Sequence, residues 1–181
     1  MKTKITSYCA MLLLAATCCL NAAETAPTKP ASAEFEKMKT LVGTWKGTAE
    51  MGEGPVELTI EYRLIAAGSV LEERVMQGTP NEMVTMYYDQ DGKLALTHYC
   101  MLGNRPAMKL GKSDGKTLAF DFDGEACCID PKKDTHMHAL TLRFEDADTI
   151  TSSCKSLMDG KPMEGKATTL KRVKTKSVAA K

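Results

Sequence analysis

The chain has 181 residues, with 24 lysines and arginines against 23 acidic residues, and 6% of its residues are aromatic. This length suits one ordinary domain with a buried core. The near-neutral charge argues against a nucleic-acid-binding protein, because such a protein would depend on a basic surface. The composition also excludes collagen, coiled-coil and wholly disordered chains.

Residues 1–23 have the pattern of a secretory signal peptide. Lys2 and Lys4 precede the apolar run 10–20, and two alanines follow it. The apolar run is too short to span a bilayer stably. Removing this leader leaves 22 positive and 23 negative side chains. The pattern predicts export to the periplasm or the extracellular space.

Composition also predicts the segments that flank the domain. Residues 24–33 are rich in Pro, Ala and Thr and are expected to form a flexible spacer. Residues 174–181 form a basic tail, which is expected to be disordered. The sequence 15–18 is similar to a bacterial lipobox ending at Cys18. The alternative to a secreted protein is therefore a lipid-anchored envelope protein, and a membrane partner is expected through such an anchor alone.

The domain itself, residues 34–173, has the alternation of a β-protein. A short helix capped by Ser32 and ending near Thr40 opens it. Segments such as 56–64 then alternate apolar and polar residues, which predicts strands with one buried and one wet face. About ten strands are predicted, at 44–51, 56–65, 69–77, 82–89, 93–102, 106–112, 116–123, 135–145, 149–158 and 162–172.

The links between these strands are short and rich in turn residues. Several are Asp-Gly pairs, which are the strongest short signal for a hairpin. A meander of many short antiparallel strands protects its edges by closing on itself. The predicted fold is all-β: an antiparallel up-and-down barrel of about ten strands with a short N-terminal helix.

A family resemblance follows from the start of the first strand. Residues 41–47, Leu-Val-Gly-Thr-Trp-Lys-Gly, resemble the Gly-x-Trp opening of calycin folds, in which the Trp plugs one barrel end. Together with the leader and the strand pattern, residues 34–173 resemble lipocalin-like secreted bacterial proteins of unknown function, with a distant likeness to nitrobindin. Nitrobindin-like barrels hold haem through a His on a late strand. The ninth and tenth predicted strands contain no His, so haem is not expected.

Four cysteines remain after the leader: Cys100, Cys127, Cys128 and Cys154. In an exported chain, four cysteines allow three disulfide pairings, and the sequence does not choose among them. A domain of this size also folds without disulfides, so free thiols are the alternative.

All three histidines fall on strand faces whose other members are apolar. His98 and Cys100 share a face of the fifth predicted strand, and His136 and His138 share a face of the eighth. A barrel turns such faces inward, where imidazoles need hydrogen-bond partners or a metal. The His-x-His pair, the third His and Cys100 would suit Zn²⁺ or Cu²⁺. The alternatives are a hydrogen-bonded polar patch in a cavity, and histidines exposed at the barrel mouth.

The inward faces also predict the walls of a ligand cavity. Small residues on the ninth and tenth strands would leave a void inside the barrel. Methionines, 12 in the full chain, would suit an adaptable apolar pocket, although they also fill ordinary cores. The predicted ligand-contacting residues are Leu94, Leu96, Leu140, Leu142, Phe144 and Cys154.

No motif for catalysis is present, and no catalytic residue is predicted. Strand alternation requires that at least one charged side chain of the run 72–74, Glu-Glu-Arg, point inward. The sequence therefore predicts an exported protein that binds a small apolar molecule, with the histidines as polar anchors. The alternative is a metal-dependent enzyme or metal carrier that uses the same histidines.

Overall fold

A computed structural model describes residues 30–51 and 54–174. The predicted leader, spacer residues 24–29 and tail residues 175–181 lie outside this part of the chain. The described residues form one α-helix, α1 (Ala33–Lys39), and eleven strands. The strands are β1 (Gly43–Met51), β2 (Gly54–Ile65), β3 (Val70–Val75), β4 (Met83–Gln90), β5 (Lys93–Tyr99), β6 (Ala107–Ser113), β7 (Thr117–Phe122), β8 (His136–Phe144), β9 (Thr149–Met158), β10 (Lys161–Glu164) and β11 (Thr168–Arg172).

The strands form a closed ten-stranded antiparallel barrel. Each of β1 to β8 pairs with the next strand along the chain, and β8 pairs with β9. The barrel closes where β9 pairs with β11 and β11 pairs with β1. The predicted all-β barrel with a short N-terminal helix is therefore confirmed.

The predicted tenth strand, 162–172, is divided in two. β10 pairs with the second half of β9, with Lys161 opposite Met158, and β11 pairs with the first half. Gly165 lies in the break, and its N–H donates to the carbonyl oxygen of Cys154 at 3.0 Å. A Cβ at Gly165 would lie 2.8 Å from that oxygen, so glycine permits this close approach.

One end of the barrel is covered by α1 and is named the closed end. The Ser32 side chain accepts a hydrogen bond from the Phe35 N–H at 3.1 Å, as expected for an N-cap. Phe35, Met38 and Leu41 are buried beneath the helix. The fully buried Trp45 donates from Nε1 to the Leu41 carbonyl oxygen at 2.7 Å. The expected Trp plug therefore occupies the closed end.

Glycine is required at two hairpins, where φ is positive, and at one position in β1, where another strand comes close. Asp91 and Gly92 both have positive φ values, 53° and 81°, as a tight hairpin between β4 and β5 requires. Asp159 and Gly160 do the same between β9 and β10, with φ values of 51° and 73°. A Cβ at Gly47 would collide with the Thr169 carbonyl oxygen, so this glycine lets β1 and β11 approach.

The structure also describes the state of the cysteines and the character of the helices. All four cysteines of the described residues are free, which agrees with the free-thiol alternative. Across residues 30–51 and 54–174, no helix has the length and apolar character needed to cross a bilayer.

Candidate functional site

A cavity of about 450 Å³ lies inside the barrel at the end away from α1, named the open end. This is the end at which β1 finishes, β5 finishes and β8 begins. Its wall includes Ala49 near the end of β1, His98 near the end of β5 and Met137 near the start of β8. The volume falls within the range of about 300–1,000 Å³ that small-molecule pockets occupy.

The cavity wall is mainly apolar and rich in methionine. Four methionines line it: Met76, Met83, Met137 and Met163. Aliphatic side chains fill the intervening positions, among them Leu58, Ile60, Val75, Leu140 and Leu170. Methionine is flexible and polarizable, so this wall can adjust to ligands of different shape.

A buried carboxylate forms the polar part of the wall. Glu73 on β3 is 9% exposed and accepts three hydroxyl hydrogen bonds. Its Oε2 accepts from the Tyr62 hydroxyl at 2.6 Å and from the Tyr87 hydroxyl at 3.0 Å. Its Oε1 accepts from Thr85 Oγ1 at 3.2 Å. Three neighbouring strands, β2, β3 and β4, therefore contribute to one polar group.

Burial dominates the acid–base properties of this group. Burial raises the pKa of the Glu73 carboxyl, although the three hydroxyl hydrogen bonds act in the opposite direction. Burial and the neighbouring Glu73 together raise the pKa of Tyr62 and Tyr87 well above the ordinary tyrosine value. Both tyrosines therefore remain protonated donors at neutral pH.

His98 extends the hydrogen-bonded group toward the ligand space. Its Nδ1 lies 2.9 Å from Thr85 Oγ1, and its ring lines the cavity. Burial lowers the pKa of His98 to about 4, so the ring is neutral at pH 7. The contact with Thr85 uses Nδ1, which leaves Nε2 as the ring nitrogen available at the cavity wall. The predicted polar anchor therefore lies at the cavity wall.

The neighbouring Glu72 shows why only one of the two glutamates belongs to the cavity. Glu72 forms ion pairs with Arg63 and Arg74, which cover it on the other face of the sheet. The hydrogen bond from Arg63 holds the pKa of Glu72 below its usual value. Strand alternation thus places Glu73 inward, as the requirement for an inward charge at 72–74 predicted.

The predicted wall residues are divided between three places. Leu140 and Cys154 line the cavity. Leu94, Leu96 and Leu142 are buried in the packed core and are not among the residues that line it. Phe144 lies at the closed end, where Lys37 Nζ is 4.5 Å from the ring centroid. Inward alternation identified the correct face of each strand but not the depth along the barrel.

Met137 and Leu140 of β8 line the cavity, whereas His136 and His138, expected beside Leu140, do not. A β-bulge shifts the register of β8 between Met137 and Ala139, which reverses the alternation across His138. Met137 pairs with Ser156, and both line the cavity, whereas His136 is fully buried against Phe122 and does not line it.

The two histidines instead form a cluster with Phe122. His136 Nε2 lies 3.1 Å from His138 Nδ1, and the His136 ring centroid is 4.5 Å from that of Phe122. His136 Nδ1 lies 2.7 Å from the Asp134 carbonyl oxygen. The structure therefore brings two of the three histidines into contact.

Cys100 and His98 have hydrogen-bond partners other than His136 and His138. Cys100 is half-buried and follows β5, where its N–H donates to the Asn104 carbonyl oxygen at 3.0 Å. Among residues 30–51 and 54–174, no cluster of three or more His, Cys, Asp or Glu side chains is arranged to hold a metal ion. The contact between His136 and His138 brings together two of the four residues in the ligand set that the sequence predicted.

The partners of Glu73 were not identified from the sequence. The sequence does indicate that Tyr62 shares the inward face of β2, because it alternates in phase with Leu58 and Ile60. Tyr87 and Thr85 are likewise in phase with one another on β4. Their convergence on one carboxyl depends on the register that sets Tyr62 and Thr85 opposite Glu73, which the sequence alone does not supply.

The cavity wall is incomplete beside the break between β10 and β11. The register of β1 with β11 covers Trp45–Gly47, whereas β1 continues to Met51. In the described residues, β10 pairs with β9 and with no other strand. The side chains that border this gap include Ala49, Glu50, Glu164 and Lys166. Along this gap, β1 and β10 share no backbone pairing in the described residues.

The closed ten-stranded antiparallel barrel fits a calycin-like fold. The sequence matches no protein-family model and no curated protein. A solved structure of a DUF3598 family protein of unknown function from Nostoc punctiforme is similar, with 16% sequence identity and a TM-score of 0.41. The similarity covers 83% of this chain and 53% of that one, so this chain spans about half the length of that protein.

Proposed function

We propose that this protein is an exported, lipocalin-like barrel that binds a small, mainly apolar molecule. The observation that carries the proposal is the cavity of about 450 Å³ at the open end. Ligand sites are typically concave and mostly apolar, with a few placed polar groups that fix orientation. Here the methionine-rich wall supplies the apolar surface, and His98 with the Glu73 group supplies the polar part.

The composition of the wall supports binding rather than filling by a packed core. Small side chains, Ser152, Cys154 and Ser156, lie along the inward face of β9. They leave space that larger residues would occupy, while the methionines opposite can adapt to an occupant. The gap between β1 and β10 gives a ligand a way in.

The leader predicted over 1–23 supports export as part of the same proposal. A carrier in the periplasm or outside the cell would meet apolar molecules that water dissolves poorly. Mass spectrometry of the mature protein tests this part, because cleavage near Ala22 gives an unmodified N-terminus. A diacylglycerol adduct on Cys18 would replace the freely secreted form with the lipid-anchored one.

Binding is tested with a neutral fluorescent dye that brightens in apolar surroundings, such as N-phenyl-1-naphthylamine. The variant Ser152→Trp should fill the cavity and reduce dye affinity at least tenfold. Thr151→Trp is the matched control, since Thr151 is on the other face of β9, where its hydroxyl donates to Glu145 at 3.3 Å. Equal dye binding by the two variants, or none by the unaltered protein, would contradict the proposal.

A further inference from the structure

We infer that the cavity selects uncharged ligands that carry a hydrogen-bond donor, such as an alcohol or an amide N–H, and turns away carboxylates. The inference rests on the proposed function, because it names the class of ligand that the same cavity takes. Three observations carry it: the direction of the hydrogen bonds that end at His98, the ring nitrogen left available at the cavity wall, and the sign of the buried charge.

The direction of the hydrogen bonds is set by the single proton of the Thr85 hydroxyl. Thr85 Oγ1 donates this proton to Glu73 Oε1. It must then accept a hydrogen bond in its contact of 2.9 Å with His98 Nδ1. His98 therefore carries its proton on Nδ1. A neutral imidazole has one N–H, so Nε2 presents a lone pair.

That lone pair is the unused polar position on the cavity wall. His98 is 7% exposed, and its ring borders the ligand space. When a ligand fills the cavity and shuts Nε2 off from water, an acceptor left without a partner costs free energy, and a ligand that donates a hydrogen bond avoids this cost. A ligand that can only accept, such as an ether or a carboxylate, leaves Nε2 unpaired and adds a second unpaired acceptor.

The charges around the cavity reinforce this preference. Glu73 is the buried ionisable acid in the wall, and the cationic side chain that borders the cavity, Lys166, lies at the gap close in sequence to Glu164. A carboxylate placed beside His98 would have no buried cation as a partner, and it would face Glu73. A cation would have to leave water for a carboxylate whose oxygens already accept three hydroxyl bonds.

The test is displacement of the neutral dye by four ligands with the same alkyl chain: dodecanol, methyl dodecyl ether, dodecanoate and dodecylammonium. It uses the mature protein in mildly alkaline buffer. Dodecanol should bind about fivefold to tenfold more tightly than the ether, as expected for one added hydrogen bond. Dodecanoate and dodecylammonium should both bind more weakly than dodecanol.

The variant His98→Phe should abolish the preference for dodecanol over the ether while retaining dye binding. His138→Phe is the matched control, because His138 contacts His136 and Phe122 instead of the cavity. The control should keep the preference of the unaltered protein.

A second measurement on the unaltered protein does not depend on any variant folding. Nitrogen-15 NMR distinguishes a protonated from an unprotonated imidazole nitrogen, and through-bond correlations to the assigned backbone identify the His98 signals. We expect a protonated Nδ1 and an unprotonated Nε2. A protonated Nε2 would overturn the inference.

The binding outcomes separate the two proposals. If none of the four ligands displaces the dye and the dye itself does not bind, the proposed function fails. If the dye binds but the ether, dodecanoate or dodecylammonium equals or exceeds dodecanol, the selectivity is wrong and the binding function stands.

Discussion

The two ends of the barrel are built in different ways. At the closed end, Trp45, Phe35 and Met38 are buried under a capped helix, and Arg172 lies 4.3 Å from the Trp ring centroid. At the open end, flexible methionines surround a cavity, and the main ordered contacts are hydroxyl hydrogen bonds to Glu73. Dense packing gives stability at one end, and the other end retains space for an occupant.

This contrast separates stability from binding along one sheet. β2 and β3 run through both ends, yet their residues serve different purposes according to depth. Leu71 is fully buried toward the closed end, while Glu73, two residues further along the same face of β3, borders the cavity. Substitutions at the two ends should therefore have different effects on unfolding and on ligand binding.

The largest expected effect is at the closed end. Trp45→Ala should lower the free energy of unfolding by about 3–5 kcal/mol, as is typical when a buried aromatic side chain is removed. Met163→Ala, at the open end, should cost under about 0.5 kcal/mol because Met163 is 51% exposed. Urea denaturation followed by circular dichroism measures both. Similar losses in the two variants would show that the ends are equally packed.

The next effect concerns the pH dependence of stability at the open end. The pKa of His98 is 6.5 when exposed and about 4 in the fold. The unfolded chain therefore takes up a proton between these values that the folded chain does not. Stability from neutral His98 is fully present above pH 6.5 and is lost as the pH falls toward 4, by about 3 kcal/mol in total.

His98→Phe should remove this loss, as urea titrations at pH 7 and pH 4 would show. Glu73 acts in the opposite sense, since a raised carboxyl pKa makes stability fall as the pH rises through the folded value. Comparing the variant with the unaltered protein at each pH separates the two residues. If both proteins lose the same stability on acidification, His98 is not held neutral by burial.

The smallest effect sharpens the description of the closed end. Ser32→Ala removes the N-cap of α1 and a hydrogen bond of 2.7 Å from Ser32 Oγ to Asp89. The expected cost is about 1 kcal/mol in the free energy of unfolding. Ser113→Ala is the matched control, because Ser113 is exposed at the end of β6. Thermal unfolding measures the difference, and equal midpoints would mean that the cap contributes nothing to the barrel.

Much of the fold could be predicted because strand alternation and turn residues are local signals. The Asp-Gly pairs at 91–92 and 159–160 give the backbone conformation that the hairpins require. The division of the last predicted strand depends instead on the close approach of Gly165 to the Cys154 carbonyl oxygen. That approach is a tertiary contact, so no local sequence pattern predicts it.

The candidate site was harder to predict for two physical reasons. The first is that alternation fails at a bulge, and the bulge at His138 moved Met137 to the cavity in place of the histidines. The second is that alternation gives a face and not a depth, so Leu94 and Leu96 were correctly expected inside but lie in the core. His98 lies at the cavity wall, on the face that alternation gives it, because β5 pairs with β4 without a register shift.

The division between β10 and β11 also determines which part of the wall can open independently. All four residues of β10 are exposed, and in the described chain they are hydrogen-bonded along one edge only. Barrel closure runs through β11, so β10 can separate from β9 while the ring of ten strands stays intact. Amide hydrogen exchange should therefore be fast in β10 and slow in β11, with a local opening free energy well below that of global unfolding. β10 is thus a segment of the wall that can open locally at a small free-energy cost, next to the space where a ligand would lie.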